Sequence, residues 1–339
     1  MRVEGRQYRT VWLEGAVVRM INQHLIPHRF EVVDLIDHRE TARAIRDMVV
    51  RGAGAIGATA GYGMAQVALE APADGNWRTY LEQGAQTLQA TRPTAQNLFY
   101  AVRRVLAASQ AGSTLAEARQ AAVREAQAIA DEDAAWCKAI GQHGAALIPD
   151  GARVLTHCNA GWLAFVDWGS ALAPVYVAHR AGKRVFVYAD ETRPRSQGAT
   201  LTAWELQGEG VPYAIIADNA AGHLMQRGEV DLVIVGSDRI AANGDVANKI
   251  GTYTVAVLAA WHHVPFYVAA PVSTIDYDLA SGDLIPIEER APEEIALLGH
   301  RASTPVCPDV AIHNPAFDVT PAELVAAIIT EKGIARAPY

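Results

Sequence analysis

Between residues 35 and 148, apolar residues recur with the spacing of amphipathic helices. In the stretch 41–49, Ile45, Met48 and Val49 are three and four residues apart, which places them on one face of a helix. Two longer stretches, 97–108 and 114–144, have the same spacing and are rich in alanine, glutamate, glutamine and arginine, so they are also predicted to be helical. Upstream, short alternating runs such as 8–13 predict a small antiparallel sheet within the first 34 residues.

After residues 149–151 the pattern changes to short apolar runs with helix-like stretches between them. The runs are 153–156, 184–188, 213–216, 231–235 and 265–268. Strands that alternate with helices and are apolar on both faces are typical of a parallel sheet covered by helices. The sequence therefore predicts an α/β fold, with the change from the helical part to the sheet part near residues 145–152. A length of 339 residues also favours two domains.

Polar, glycine-bearing segments directly follow three of the predicted strands, at 157–161, 190–198 and 236–245. Because chemistry collects beyond the carboxyl ends of parallel strands, these segments predict a site at one edge of the sheet. Cys158 and Asp238 would face this crevice as an acid/base pair. Two alternatives stay open, since buried cysteines are often inert and strand-end aspartates often serve in turns or helix caps.

Several cations are placed to bind an anion. Asn248 and Lys249 precede a predicted helix, and a helix N-terminus attracts negative charge. The alternative for Lys249 is an ordinary exposed lysine. Arg92 also stands just before a predicted helix, where a cation without a function is mildly unfavourable.

The segment 52–57 matches the G-x-G-x-x-G pattern of dinucleotide-binding proteins. That pattern requires a preceding strand, whereas 41–49 is predicted to be helical. We therefore expect no nicotinamide cofactor, and we interpret 52–57 as a glycine-rich loop that opens a helix from about Ala55. Its backbone N–H groups, with Arg51 in front, suit a phosphate.

Composition narrows the classes of function further. The 29 basic and 37 acidic residues give a net charge of −8, which disfavours a nucleic-acid-binding protein. The chain has neither an apolar run long enough for a membrane span nor a signal-like start. Three scattered cysteines, Cys137, Cys158 and Cys307, predict no disulfide framework and favour the cytoplasm. No CxxC or HExxH pattern occurs, so we expect no metal.

Seven motifs stand out along the chain, at 51–57, 92–94, 156–159, 188–199, 201–206, 238–252 and 314–321. Taken together they resemble the methylthioribose-1-phosphate isomerase family, and the resemblance covers nearly the whole chain. The wider group includes ribose-1,5-bisphosphate isomerases and non-catalytic regulatory subunits of a eukaryotic initiation factor. Cys158 and Asp238 both stand at the positions that the isomerases use for catalysis.

The resemblance implies a mostly helical N-terminal α+β domain over 1–148 and a Rossmann-like catalytic domain over 149–339. It implies a homodimer without a cofactor that acts on a sugar 1-phosphate in methionine salvage. The residues it assigns to substrate binding are Arg51, Gly52, Ala53, Arg92, Gln197, Asn248 and Lys249. The implied reaction converts 5-methylthioribose 1-phosphate to 5-methylthioribulose 1-phosphate.

The phosphate on the anomeric oxygen prevents ordinary ring opening to an aldehyde. Our hypothesis is that protonated Asp238 gives a proton to the ring oxygen as the C1–O bond breaks. Cys158 then assists transfer of hydrogen from C2 to C1. Two routes stay open: a proton shift through an enediolate-like intermediate, or a hydride shift in a dry pocket.

The sequence departs from the family pattern at three places. Gly54 stands where proline is usual, which predicts a looser phosphate loop, and Ser237 stands where alanine is usual. The aromatic run 162–169 either packs in the core or shapes the pocket for the sugar's 5-substituent. That substituent is left open as methylthio, deoxy or phosphate. A phosphate would need an extra cation, for which Arg195 is the obvious candidate.

Overall fold

The computed structural model describes residues 1–73, 75–92, 95–296 and 311–339. Cys307 and two residues of the 92–94 motif, Pro93 and Thr94, lie outside the described residues. No helix in these ranges is both long and apolar enough to cross a membrane.

The N-terminal part begins with two small antiparallel sheets. One pairs β1 (Arg2–Val3) with β2 (Arg6–Gln7). The other has the order β3-β4-β5, formed by β3 (Val11–Glu14), β4 (Val17–Ile21) and β5 (Val32–Leu35). The antiparallel sheet predicted for the first 34 residues is confirmed.

Five helices follow, and they confirm the predicted helical region. They are α1 (His38–Arg46), α2 (Ala53–Glu70), α3 (Trp77–Gln89), α4 (Gln96–Gln110) and α5 (Leu115–Ala145). α2 packs against the other four, and it is buried from Gly54 to Ala68, as expected for a helix without a polar face. Thr114 caps α5 in a capping box with Glu117, which explains why that helix begins where the spacing predicts.

A seven-stranded sheet forms the centre of the C-terminal part, with the order β16-β15-β12-β9-β6-β7-β8. Its pairs are parallel except for β15 with β16. The strands are β6 (Ala152–Thr156), β7 (Val185–Asp190), β8 (Tyr213–Ile216), β9 (Leu232–Val235), β12 (Phe266–Ala269), β15 (Ala327–Thr330) and β16 (Gly333–Ala335). The five predicted strands correspond to β6, β7, β8, β9 and β12, with ends within two residues of prediction.

Helical segments connect these strands. They are α6 (Leu172–Arg180), a π-helical turn (Gly198–Thr202), α7 (Ala203–Glu209), α8 (Ala221–Gln226), α9 (Thr252–Trp261) and the short α10 (Glu293–Ala296). Together with the sheet they confirm the predicted α/β class.

A second, four-stranded sheet with the order β13-β10-β11-β14 was not predicted. Its strands are β10 (Arg239–Ala241), β11 (Val246–Lys249), β13 (Ile275–Asp276) and β14 (Phe317–Thr320). This sheet corrects one prediction, because Asn248 and Lys249 end β11 and do not begin a helix. They pair with Asp318 and Phe317 of β14, a partner far away in the chain that local periodicity does not reveal.

The strand order has a switch point at β6. From β6 the chain proceeds to β7 and β8 on one side, and it returns to β9 and then β12 on the other. A crevice opens beyond the carboxyl end of a strand at such a point. Cys158 lies two residues beyond the end of β6.

Candidate active site

One pocket lies at this switch point, between the helical part and the ends of the central strands. All nine residues singled out from the sequence line it: Arg51, Gly52, Ala53, Arg92, Cys158, Gln197, Asp238, Asn248 and Lys249. The helical part contributes the first four, and the sheet part contributes the other five. The structure therefore brings together residues from two regions that are far apart in sequence.

Cys158 lines the pocket in an unusual backbone conformation. Its φ is +68°, a region that non-glycine residues seldom adopt. The amide of Gln197 donates to its Sγ from Nε2 at 3.4 Å. The thiol is partly exposed, whereas the Cys137 thiol is fully buried. Of these two cysteines, Cys137 is the inert core residue.

Asp238 follows β9 and faces the pocket. The residue is solvent-accessible and lines the pocket, and the protein packed around the pocket partly desolvates its carboxyl group. This desolvation raises the pKa of the Asp238 carboxyl, against the opposing effect of Lys249, Arg51 and Arg92. Its backbone N–H donates to Ala247 O at 2.9 Å.

Ser237, which stands where the family pattern has alanine, also contacts β11. Its hydroxyl donates to Ala247 O at 3.3 Å. The extra hydroxyl therefore adds a second contact between the β9–β10 connection and β11.

Three cations surround the carboxyl group. Arg51 holds Asn159, donating to its side-chain oxygen at 2.8 Å and to its backbone oxygen at 2.7 Å. Lys249 donates from Nζ to Ala316 O at 2.8 Å, and burial lowers the pKa of this lysine. Arg92 lies 4.0 Å from Glu288, and its buried Nη1 has no hydrogen-bond partner among the described residues.

The loop before α2 also lines the pocket, at Gly52 and Ala53. Gly52 has a φ of +98°, and a Cβ there would lie 2.4 Å from the Cα of Ala164. Only glycine meets both conditions. α2 begins at Ala53, two residues earlier than predicted, so the unpaired N–H groups of its first turn lie beside the pocket.

Gly54 has a packing reason of its own. A Cβ at this position would lie 2.2 Å from the Asp133 carboxylate and 2.4 Å from the Phe165 ring. Asp133 is buried and accepts the Val166 N–H at 2.7 Å. The first turn of α2 is thus closely packed at Gly54, and that the loop is looser than in the family pattern stays a prediction.

The N-terminus of α9 does not form the predicted anion-binding site. Asp318 accepts the Gly251 N–H at 2.7 Å and the Tyr253 N–H at 3.0 Å. These carboxylate contacts already occupy the helix N-terminus. Lys249 nevertheless reaches the pocket, because it lies at the end of β11.

Behind Cys158, His157 forms a buried pair with Asp190. One ring nitrogen lies 2.8 Å from the Asp190 carboxylate, and the other lies 2.8 Å from Ile250 O. Burial alone would lower the pKa of His157, but the hydrogen bond and charge of Asp190, the Ile250 carbonyl and the charge of Asp218 together outweigh burial and raise that pKa. An imidazolium satisfies both acceptors.

Asp218 lies close to this pair, and the three groups have the spacing of a possible metal cluster. The Asp218 oxygens accept the N–H groups of Thr192 and Arg193 at 2.6 and 2.7 Å. Hydrogen bonds thus engage His157 and both oxygens of Asp218, whereas the buried Oδ1 of Asp190 has no hydrogen-bond partner among the described residues. That the protein needs no metal stays a prediction.

The aromatic run 162–169 is divided between two roles. Trp162 is buried and its ring lies 6.0 Å from that of Trp204, so it packs in the core. Ala164 and Phe165 line the pocket.

The sequence did not indicate the segment 285–290. Ile285, Glu288 and Arg290 line the pocket, and Arg290 forms ion pairs with Glu288 and Glu294, each at 2.7 Å. None of the motifs identified in the sequence includes these residues. Arg195 also lines the pocket, but it is paired with Glu294 at 2.9 Å.

With this geometry established, we compared the chain with known proteins. The model of the initiation factor 2 subunit family matches residues 49–337. A methylthioribose-1-phosphate isomerase of Chloroflexus aurantiacus is 55% identical, covering 98% of this chain and 96% of that protein. One from Geobacter metallireducens is 51% identical over the same shares.

Solved structures agree with the sequence matches. The crystal structure of 5-methylthioribose 1-phosphate isomerase from Pyrococcus horikoshii OT3 has a TM-score of 0.91 and 46% identity, covering 98% of this chain and 94% of that one. A structure described as translation initiation factor eIF-2B, subunit delta, from A. fulgidus has a TM-score of 0.88 and 43% identity, covering 98% and 97%. The chain belongs to the initiation factor 2 subunit family, and within it to the methylthioribose-1-phosphate isomerases.

Proposed function

We propose that this protein is an aldose–ketose isomerase that converts 5-methylthioribose 1-phosphate to 5-methylthioribulose 1-phosphate, a step of methionine salvage. The observation that carries this proposal is the meeting of the Cys158 thiol and the Asp238 carboxyl in one pocket with three cationic side chains. The names of the similar proteins point to the same reaction.

Asp238 acts as the acid at the ring oxygen. A carboxylic acid can donate only while it is protonated, and the raised pKa of Asp238 favours that form. As the C1–O bond of the ring breaks, the proton passes from the carboxyl to the ring oxygen, and the electron pair of the broken bond is neutralised there.

Cys158 assists the transfer of hydrogen from C2 to C1. The Gln197 amide donates to the sulfur, and this contact orients the thiol. On the enediolate route, the Cys158 sulfur would take the C2 proton and return a proton to C1, while the C2 hydroxyl passes its proton to the Asp238 carboxylate and becomes the ketone. On the hydride route, the sulfur would stabilise the developing positive charge.

The phosphate binds where the helical part meets the pocket. Arg51, Gly52, Ala53 and Arg92 supply two guanidinium groups and the first N–H groups of α2, a combination that suits a dianion. The free Nη1 of Arg92 is a buried donor without a partner in the described ranges, and a phosphate oxygen would satisfy it.

Three further residues complete substrate binding: Gln197, Asn248 and Lys249. Gln197 has a buried side-chain oxygen without a partner in the part of the chain that the structure describes, and a sugar hydroxyl could donate to it. Lys249 adds positive charge beside Asp238.

The apolar side chains Met48, Phe165, Ile285 and Phe317 also line the pocket. They favour an apolar 5-substituent, either methylthio or the shorter deoxy form. The difference between these two is worth about 1–3 kcal/mol in such a pocket. A 5-phosphate is disfavoured, because carboxylates already pair with the extra cations Arg195 and Arg290.

The protein also acts as a homodimer in this proposal. Tyr253, Val257 and Trp261 are exposed on one face of α9, and Trp261 is 79% exposed. A second copy of the chain would cover this apolar face. Light scattering of the purified protein should give twice the chain mass, and a monomer throughout the tested concentrations would contradict this part of the proposal.

The substrate is tested by incubating the protein with three compounds in parallel: 5-methylthioribose 1-phosphate, 5-deoxyribose 1-phosphate and ribose 1,5-bisphosphate. NMR identifies the products. We expect ketose from the first, slower formation from the second and none from the third. Ketose from the bisphosphate alone would overturn the assigned 5-substituent.

The hydrogen-transfer route is tested with substrate that carries deuterium at C2. Full retention of deuterium at C1 excludes free exchange with solvent and favours the hydride shift. Complete wash-out removes the hydride option and leaves the enediolate route.

A non-catalytic sensor is the second candidate, because the family and the A. fulgidus neighbour carry initiation-factor names. The presence of both Cys158 and Asp238 favours the enzyme. A pure, folded protein that binds pentose 1-phosphates but converts none of them would establish the sensor instead.

A further inference from the structure

The backbone of Cys158 is held by two threonine hydroxyls. Its N–H donates to Thr192 Oγ1 at 2.8 Å, and its carbonyl oxygen accepts from Thr202 Oγ1 at 2.8 Å. Neither threonine lines the pocket. They contact Cys158 on the side away from the pocket, at its backbone N–H and carbonyl groups.

Thr192 is itself in a rare conformation. It is fully buried, and its φ is +63°, where a β-branched residue is a genuine outlier. Such a backbone conformation persists only when contacts with the surrounding structure hold it in place. It stands in the loop that follows β7, and it is not among the residues that line the pocket.

Asp218 provides the contacts that hold Thr192 in this conformation. Its two carboxylate oxygens accept the consecutive N–H groups of Thr192 and Arg193, at 2.6 and 2.7 Å. The Thr192 hydroxyl in turn donates to Asp190 O at 3.0 Å. Because its hydrogen is used in that bond, the hydroxyl presents a lone pair to the Cys158 N–H.

The π-helical turn is packed against the same point. A Cβ on Gly198 would lie 1.7 Å from Asp190 O and 2.9 Å from Thr192 Oγ1. Gln197, the residue before it, donates to the Cys158 sulfur. The conformation of Thr192 therefore bears on both the backbone of Cys158 and the amide that contacts its thiol.

We propose that Thr192, fixed by Asp218, is a positioning residue for Cys158: its hydroxyl holds the cysteine in the left-handed conformation that directs the thiol into the pocket beside Gln197. This inference rests on the proposed function for its effect on turnover. Its effect on the reactivity of the thiol is independent of that function.

The test compares Thr192→Val, which removes the hydroxyl at nearly constant shape, with Thr192→Ser, which keeps it. Thr200→Val is the matched control, since the Thr200 hydroxyl in the π-helical turn donates to Ser196 O and, among the described residues, makes no hydrogen bond to Cys158. Each variant is assayed for kcat and KM and for the rate at which iodoacetamide alkylates Cys158 over a series of pH values. Cys158→Ser identifies the background from other thiols.

We expect kcat of Thr192→Val to fall on the order of a hundredfold with KM nearly unchanged, because a misplacement of about 1 Å costs that much. The dependence of the Cys158 alkylation rate on pH should change in Thr192→Val. In Thr192→Ser and Thr200→Val, both this dependence and kcat should resemble those of the parent. An unchanged alkylation profile in folded Thr192→Val would overturn the proposal, whether or not the parent is an isomerase.

If Thr192→Val does not fold, Asp218→Asn takes its place. This substitution weakens the two hydrogen bonds that Asp218 accepts from the N–H groups of Thr192 and Arg193, and it keeps the Thr192 hydroxyl. We then expect a smaller shift of the alkylation profile in the same direction. A parent-like profile in a folded Asp218→Asn variant would contradict the role of Asp218. A parent enzyme that alkylates normally but forms no ketose would refute the proposed function alone.

Discussion

The two sides of the pocket hold their functional groups by different means. On the sheet side, Cys158 occupies a left-handed conformation in which its N–H donates to Thr192 Oγ1 and its carbonyl oxygen accepts from Thr202 Oγ1. On the helical side, Gly52 and Ala53 take their places because α2 is packed on nearly all sides and its first turn is wedged against Ala164 and Asp133.

This difference matches the two tasks of an isomerase acting on a sugar phosphate. Proton and hydrogen transfer require side chains aligned to within a fraction of an ångström, whereas a phosphate needs positive charge and N–H groups that tolerate small displacements. We therefore expect variants of Cys158 and Asp238 on the sheet side to lower kcat and variants of the phosphate-binding residues on the helical side to raise KM.

The largest expected effect comes from Asp238→Asn and Cys158→Ser on the sheet side. Removing a positioned acid or base costs roughly a hundred- to ten-thousandfold in kcat. Binding should survive, so calorimetric titration of either variant with 5-methylthioribose 1-phosphate should give an affinity near the KM of the parent. Asp278→Asn, at an exposed aspartate of the same part of the chain, serves as the control and should leave kcat unchanged.

The pH profile sharpens the same prediction. Asp238 must be protonated to donate, so kcat of the parent should fall as pH rises through the raised pKa of this group. Cys158→Ser should keep that decline at a lower level, whereas Asp238→Asn should lose it. A decline that persists unchanged in Asp238→Asn would assign the acid to another residue.

Much of the sheet side could be predicted from the sequence. β6, β7 and β9 are buried on both faces, so they appear as short apolar runs, and Cys158 and Asp238 are conspicuous because each follows such a run directly. β11 was missed because its partner, β14, lies far away in the chain and its polar end at Asn248 and Lys249 resembles a helix start.

The helical side was harder to predict in detail. The glycine pattern marks Arg51 and Gly52, but Glu288 and Arg290 reach the pocket from a segment of the C-terminal part that carries none of the identified motifs. Their placement depends on tertiary contacts, such as the bond from Arg290 N to Asn314 O, which no local rule encodes. The division into domains at residues 148 and 149 stays a prediction.

The second effect concerns Arg92→Gln on the helical side. A hydrogen bond to a charged group contributes about 1.5–3 kcal/mol, so KM should rise roughly ten- to a hundredfold with kcat within a few-fold of the parent. Arg103→Gln, at an exposed arginine of α4, is the matched control. If Arg92→Gln instead lowers kcat and leaves KM unchanged, the division of tasks between the two sides is wrong.

The smallest expected effect on turnover comes from the packing behind the phosphate loop. Gly54→Ala would place a Cβ 2.2 Å from the Asp133 carboxylate, which cannot withdraw without losing the Val166 N–H. Such overpacking costs about 1–3 kcal/mol of unfolding free energy, and we expect a lower Cm in urea with a modest rise in KM.

Gly61→Ala tests the same helix without the clash, since a Cβ there meets nothing closer than 3.7 Å. Alanine is better than glycine inside a helix by about 0.5–1 kcal/mol, so this variant should be more stable than the parent and kinetically unchanged. The contrast isolates position 54, because both substitutions change the helix propensity of α2 by the same amount. Equal stability of the two variants would mean that the first turn of α2 yields to the added methyl group, and the loop on the helical side would then be less rigid than its packing indicates.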